Sequence, residues 1–239
     1  MMVWWAVAAV AAFFIKGLCG FANTLVFTSI LSFSNNNSVI SPVELLLGYP
    51  TNMILAWRER RSIKWSICIP LSILVVMGSV PGILFLKNAD VRMIKIFFGF
   101  IIILIGMEML YREYHTKPVK QSKILLGLIG ILSGLLCGLY GIGAPLGAYV
   151  NRVTDDTHSF KANICIVFLI ENTLRIFLYG LWGMVSLELV KTSIMLIPFM
   201  LLGLSLGIFS GRILPEKAVR KLVVVMLIIS GAALVMKSI

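Results

Sequence analysis

The chain has 239 residues, 59% of them hydrophobic and 13% charged, with a mean hydropathy of +1.01. Soluble domains carry about 45–50% apolar and about 25% charged residues, so a water-soluble globule, a disordered chain, a collagen and a coiled coil are excluded. Lys and Arg outnumber Asp and Glu by 21 to 10, a formal charge of +11; the excess lies in short loops between apolar runs, where it reports membrane orientation and not affinity for nucleic acid.

Apolar runs fall at about residues 3–33, 42–57, 66–86, 93–110, 124–150, 162–180, 187–209 and 218–236. At about 20 residues per crossing they account for nearly the whole chain, so an all-α polytopic membrane protein is expected. The first run starts at Val3 with no Lys or Arg before it, unlike the basic start of a cleaved signal peptide, and is expected to stay in the membrane.

Two runs are too long for one straight crossing, and small residues interrupt both. The first passes through Lys16, Gly17, Leu18, Cys19, Gly20, Phe21, Ala22, Asn23 and Thr24; the run at 124–150 passes through Cys137, Gly138, Leu139, Tyr140, Gly141, Ile142, Gly143, Ala144 and Pro145. Each is followed by three ordinary runs, which predicts two transmembrane repeats, 1–115 and 116–239, each a broken or re-entrant segment plus three helices. Paired interrupted segments point to a transporter site, because unwound backbone is tolerated at membrane depth only where it is buried or lines a cavity.

Charge placement favours inverted repeats. Single crossings by all eight runs would divide the basic loop residues almost evenly. Two same-side hairpins instead gather Arg58, Arg60, Arg61, Lys64, Arg112, Lys117, Lys120, Lys123, Arg152, Lys161, Arg212, Lys217, Arg220 and Lys221 on one side, as the positive-inside bias requires. Lys87, Arg92, Lys95, Lys191 and Lys237 fall on the other. Both termini are then outside, and the expected location is the inner (cytoplasmic) membrane.

At these residues the sequence resembles the sulfite exporter TauE/SafE family of small bacterial membrane transporters. The features are the Gly20-Phe21 break, the basic loop Arg58 to Trp65, and the stretch Gly134 to Gly180, which has a Gly-rich break, Pro145, Tyr149 and a span ending in Arg175, Tyr179 and Gly180. The sequence departs from the family pattern at Ala22-Asn23-Thr24, where glycines are usual, at Thr28 near a usual Pro position, and at Ala144. The resemblance implies export or uptake of small sulfur-containing anions such as sulfite or organosulfonates and leaves the substrate open; no cofactor is expected.

A helix N-terminus offers free N–H groups and partial positive charge to an anion. Such ends are expected at Asn23-Thr24 and at Ala144-Pro145. The substrate site is therefore placed at Lys16, Asn23, Thr24, Gly141, Gly143, Ala144, Asn172 and Arg175, with Gly17, Gly20, Gly138 and Pro145 shaping the breaks. The competing reading of the glycines is close helix packing alone. Arg175 is one turn from Glu171, so the two are either a neutralised structural pair or a gate that an anion competes for. Lys16 either attracts the anion at the tip of a half-helix or snorkels to an interface. Asn52 stands in the first half roughly where Asn172 stands in the second. Glu44 and Glu108 are read as interfacial, Glu44 being alternatively a proton acceptor.

Cys19 and Cys137 occupy matching points, so a transmembrane thiol-disulfide electron relay is the alternative function; Cys68 and Cys165 complete the four cysteines. No metal spacing, nucleophile motif or acid-base cluster supports an enzyme, and His115 and His158 fall in loops. The expected partners are a small anion and the bilayer, with a homodimer left open.

Overall fold

A computed structural model describes residues 2–31, 35, 37–88, 100, 103, 104, 107, 123–140, 143–154 and 156–236. Among these residues the helices are α1 (Met2–Cys19), α2 (Asn23–Leu31), α3 (Asn37–Arg58), α4 (Trp65–Asn88), α5 (Lys123–Tyr140), α6 (Ala144–Val153), α7 (Thr157–Leu181), α8 (Leu187–Ile213) and α9 (Glu216–Met236), with a 3-10 turn at Arg60–Ser62 and no strand. The run at 93–110 lies outside the described residues apart from four helical positions.

By length and composition, α1, α3, α4, α7 and α8 each provide a stretch that can cross a membrane. Only helices satisfy every backbone group within one segment in lipid. Apolar side chains cover the outside: Ile194, Met195, Leu202, Leu206 and Phe209 of α8 are all exposed. Polar groups are buried inside, among them Lys16, Glu44, Asn52, Glu171 and Arg175. A water-soluble fold has the reverse arrangement. The chain is an all-α, multi-pass membrane protein.

Helix ends follow local chemistry. Asp156 caps α7, its carboxylate accepting from Ser159 N at 2.7 Å, and Ser186 caps α8 by accepting from Leu189 N at 3.3 Å. Pro145 sits in the first turn of α6, where its missing N–H has no partner to lose. Three boundaries depart from the sequence pattern. Helix α3 starts at Asn37 and runs through Pro42 and Pro50, and α7 starts at Thr157 and takes in Lys161. Helix α1 continues for 18 residues before its break, about 27 Å at 1.5 Å per residue, so Lys16 lies near the end of a full-length arm and not of a half-helix.

The packing has three main seams: α1 on α8, α4 on α5, and α3 on α7. Glycines bring the backbones together in the first two. A Cβ at Gly17 would lie 2.5 Å from the Leu204 carbonyl oxygen, and Gly203 and Gly207 face the Val10 and Phe14 carbonyls as closely. In the second seam a Cβ at Gly82 would lie 2.5 Å from the Leu135 carbonyl oxygen, while Gly78 and Gly134 press on the Ile131 and Val75 carbonyls. Gly17 is therefore not a break residue: it is helical and makes room for α8. Gly138 is likewise inside α5. In lipid no water competes for the backbone bonds, so glycine interrupts a membrane helix far less than a soluble one.

Gly207→Leu is expected to force α1 and α8 apart at a cost of about 1–3 kcal/mol or more, seen as a lower unfolding midpoint in detergent. Gly127→Leu, with open space at its Cβ, should leave that midpoint unchanged.

Candidate functional site

The break between α1 and α2 is a tight left-handed corner. Gly20 N donates to the Lys16 carbonyl at 2.6 Å, Gly20 has φ +87° and Ala22 φ +70°. Glycine adopts such a φ freely, whereas an L side chain is strained there. The corner frees backbone groups in the protein interior, and α7 supplies partners for two of them. Lys161 Nζ donates to the Gly17 carbonyl at 3.2 Å, and Cys165 Sγ donates to the Gly20 carbonyl at 3.5 Å.

On the α2 side, Asn23 Nδ2 and Thr24 Oγ1 both donate to Glu44 Oε1, the second at 2.8 Å. A carboxylate of α3 thus binds the first two residues of α2, where helix N-terminal polarity favours a negative group. Lys16 Nζ reaches the Gly48 carbonyl at 3.4 Å. Gly48 leaves the space these groups share: a Cβ there would be 3.3 Å from Glu44 Oε1, 3.6 Å from Asn23 Nδ2 and 3.9 Å from Lys16 Nζ.

Helix α7 brings a second polar set. Glu171, Arg175 and Tyr179 follow one another at intervals of four, hence on one face. Arg175 donates through Nη2 to Ser41 Oγ at 3.0 Å and to the Tyr179 hydroxyl at 3.2 Å. Its Nε stands 3.8 Å from Glu171 Oε1, beyond hydrogen-bond range. Among the described residues both atoms are buried without a hydrogen-bond partner, as is Asn52 Oδ1.

These sets meet in one cavity. Lys16, Asn23, Thr24, Glu44 and Asn52 line it from α1 to α3; Gly143, Phe168, Glu171, Asn172 and Arg175 line it from the second half. Its volume is about 20 Å³, room for about one water. Two cations face two carboxylates, so the lining is neutral when all four are ionised. An anion entering it must displace a carboxylate from its donors or meet one protonated.

Of the expected site residues, Lys16, Asn23, Thr24, Gly143, Asn172 and Arg175 all line this cavity. Ala144 is the first residue of α6, behind Gly143. Gly141 lies outside the described residues. Gly20 closes α1 and Pro145 opens α6, whereas Gly17 and Gly138 remain in helices. Gly143 sits in a narrow place, since a side chain there would strike the Phe168 ring. Cys19 and Cys137 are both buried.

Sequence reasoning assigned Glu44 to an interface, but the early start of α3 carries it into the interior, where it is 3% exposed. Gly48, Ser41 and Lys161 were also passed over. The Glu171, Arg175, Tyr179 stripe was a readable signal for the α7 wall; the contacts of Gly48 and Lys161 join distant segments and left no local one.

The fold and this chamber define a polytopic helical membrane protein with a charged polar site buried at helix ends. The chain belongs to the sulfite exporter TauE/SafE family, whose model matches residues 5–234, and that family is one of membrane transporters. No curated protein and no solved structure matches the chain.

Gly20→Ala is expected to destabilise the protein by about 1–2 kcal/mol through its φ, with an added clash against Lys161 Cγ, 2.9 Å from the new Cβ. Ala22→Gly should act oppositely and raise the unfolding midpoint. Thermal unfolding of the two purified variants measures both signs.

Proposed function

We propose that the protein is a permease or exporter of small sulfur-containing oxyanions, sulfite or an organosulfonate, working by alternating access at the chamber between the two broken segments. The observation that carries this reading is the Arg175 Nε, which has no hydrogen-bond acceptor among the described residues, in a cavity that also holds Lys16 and Asn172. A buried N–H without an acceptor is costly, and an oxyanion supplies one. Asn23 and Thr24, now occupied by Glu44, are donors that a substrate oxygen takes over when that carboxylate moves or is protonated. Transport needs no catalytic group, and the protein is read as a non-enzyme of the cytoplasmic membrane; a homodimer remains one arrangement for it.

The two-repeat reading, 1–115 and 116–239, is supported by the exchange of partners between halves. The first arm of one half, α1, packs on α8 of the other, and the first arm α5 packs on α4, while the matching helices α3 and α7 pack on each other. An internal two-fold relation produces such a pattern. The basic loop 58–64 against the uncharged segment 181–187 supports the inverted orientation.

In proteoliposomes, Arg175→Gln should lower sulfite flux at least about tenfold, the worth of about 1.4 kcal/mol of lost binding, and Asn172→Ala should weaken it without loss of protein. A Cys19→Ala, Cys137→Ala double variant should keep most of the flux, because a permease uses those sulfurs only as volume. Normal flux in both Arg175→Gln and Asn172→Ala, with a dead double alanine variant, would replace the permease with the thiol relay.

The orientation is checked separately. Cysteines placed at Arg60 and Leu187, both exposed, should be labelled by impermeant reagent from opposite faces, position 60 from the cytoplasm.

A further inference from the structure

A second and larger cavity, about 320 Å³, lies at the end of the molecule that carries the basic loop, between α3, α7 and α8. Its charged lining is Arg58, Lys161, Arg212 and Glu59, with His158 beside them. Glu59 is engaged from two sides: Oε1 is 3.4 Å from Arg58 Nε, and Oε2 is 2.8 Å from His158 Nδ1. Two arginines and Lys161 therefore face one carboxylate, an excess of two positive charges among the lining residues when Lys161 is protonated and before His158 is counted.

Lys161 is the link to the inner chamber. Its Nζ holds the Gly17 carbonyl and its stem packs on the Gly20 corner, where a Cβ would be 2.9 Å from Cγ. Gly17 lines the outer cavity and its neighbour Lys16 lines the inner one. The end of α1 and the Lys161 side chain thus form the partition between the two spaces. Gly211 keeps the Lys161 head free of crowding, since a Cβ there would already stand 3.4 Å from Nζ.

We infer that this cavity is a vestibule that binds a small anion of one or two charges ahead of the buried chamber, with Lys161 passing between the Gly17 carbonyl and the anion as a gate. The inference deepens the permease reading and rests on it for the identity of the ligand. A cavity lined by one sign of charge and walled by low-dielectric protein concentrates the opposite ion. A Lys whose only task was to cap α1 would need no Arg212 opposite it and no cavity beside it.

The test uses the full-length protein with a cysteine at Leu214, which lines the vestibule and is exposed. An anionic methanethiosulfonate should modify it faster than a cationic one of similar size, and sulfite should slow the reaction. Arg212→Gln, an exposed site chosen to preserve folding, should cut the anionic preference several-fold, up to about tenfold, and Lys161→Gln should do the same. In proteoliposomes both variants should raise the KM for sulfite offered from this face and leave the KM from the opposite face unchanged. Equal reaction of the two reagents, or a preference that survives both substitutions, overturns the vestibule. A protein that moves no sulfite yet keeps the charge preference loses the transport reading and retains the anion site.

Discussion

A helix broken in the buried interior of a membrane protein leaves backbone groups that need partners from other helices, and this constraint organises the protein. At the α1 corner the Gly17 and Gly20 carbonyls are met by Lys161 and Cys165 of α7. The start of α2 is met by Glu44 of α3. Each of these partners is itself polar or charged and is held at depth by the break it serves. The same requirement that stabilises the corner thus gathers lysines, carboxylates and amides around it, and a polar chamber follows from satisfying the backbone.

The glycines divide into two physical roles. Gly17, Gly78, Gly82, Gly134, Gly203 and Gly207 let backbone approach backbone along straight seams, whereas Gly20 supplies a left-handed bend. Gly48 does neither; it vacates space for three polar heads. A pattern of small residues alone does not separate these roles, which is why Gly17 and Gly138 read as breaks in the sequence although both are helical.

The helical membrane class and most span limits were legible because hydropathy acts locally and lipid admits few alternatives. The starts of α2 at Asn23 and of α6 at Ala144 were legible too, since Gly and Pro mark them chemically. The Asn37 start of α3 was obscured by the polar Asn and Ser residues and by Pro42, which end a soluble helix more often than they open a membrane one. That misjudged start misplaced Glu44. Lys161 was counted as a loop charge for a similar reason: Thr157 to Phe160 look like loop residues until Asp156 caps them. Contacts between α3 or α7 and the α1 corner join residues twenty or more positions apart, and a single sequence carries no trace of them.

The neutrality of the inner chamber has a consequence for energetics. With all four ionised, Lys16 and Arg175 offset Glu44 and Glu171, so the resting chamber adds no net charge to that of a bound substrate. Each elementary charge crossing 100 mV is worth about 2.3 kcal/mol. Under the proposed anion transport, a dianion leaving a cell whose interior is negative by that amount gains about 4.6 kcal/mol from the voltage, and its import must be driven by a concentration gradient, an exchanged anion or co-transported positive charge worth as much. In the proposed mechanism, protonation of Glu44 as the anion takes its place on Asn23 and Thr24 would supply one such charge, and membrane voltage as well as the fold would then set the direction of net flux.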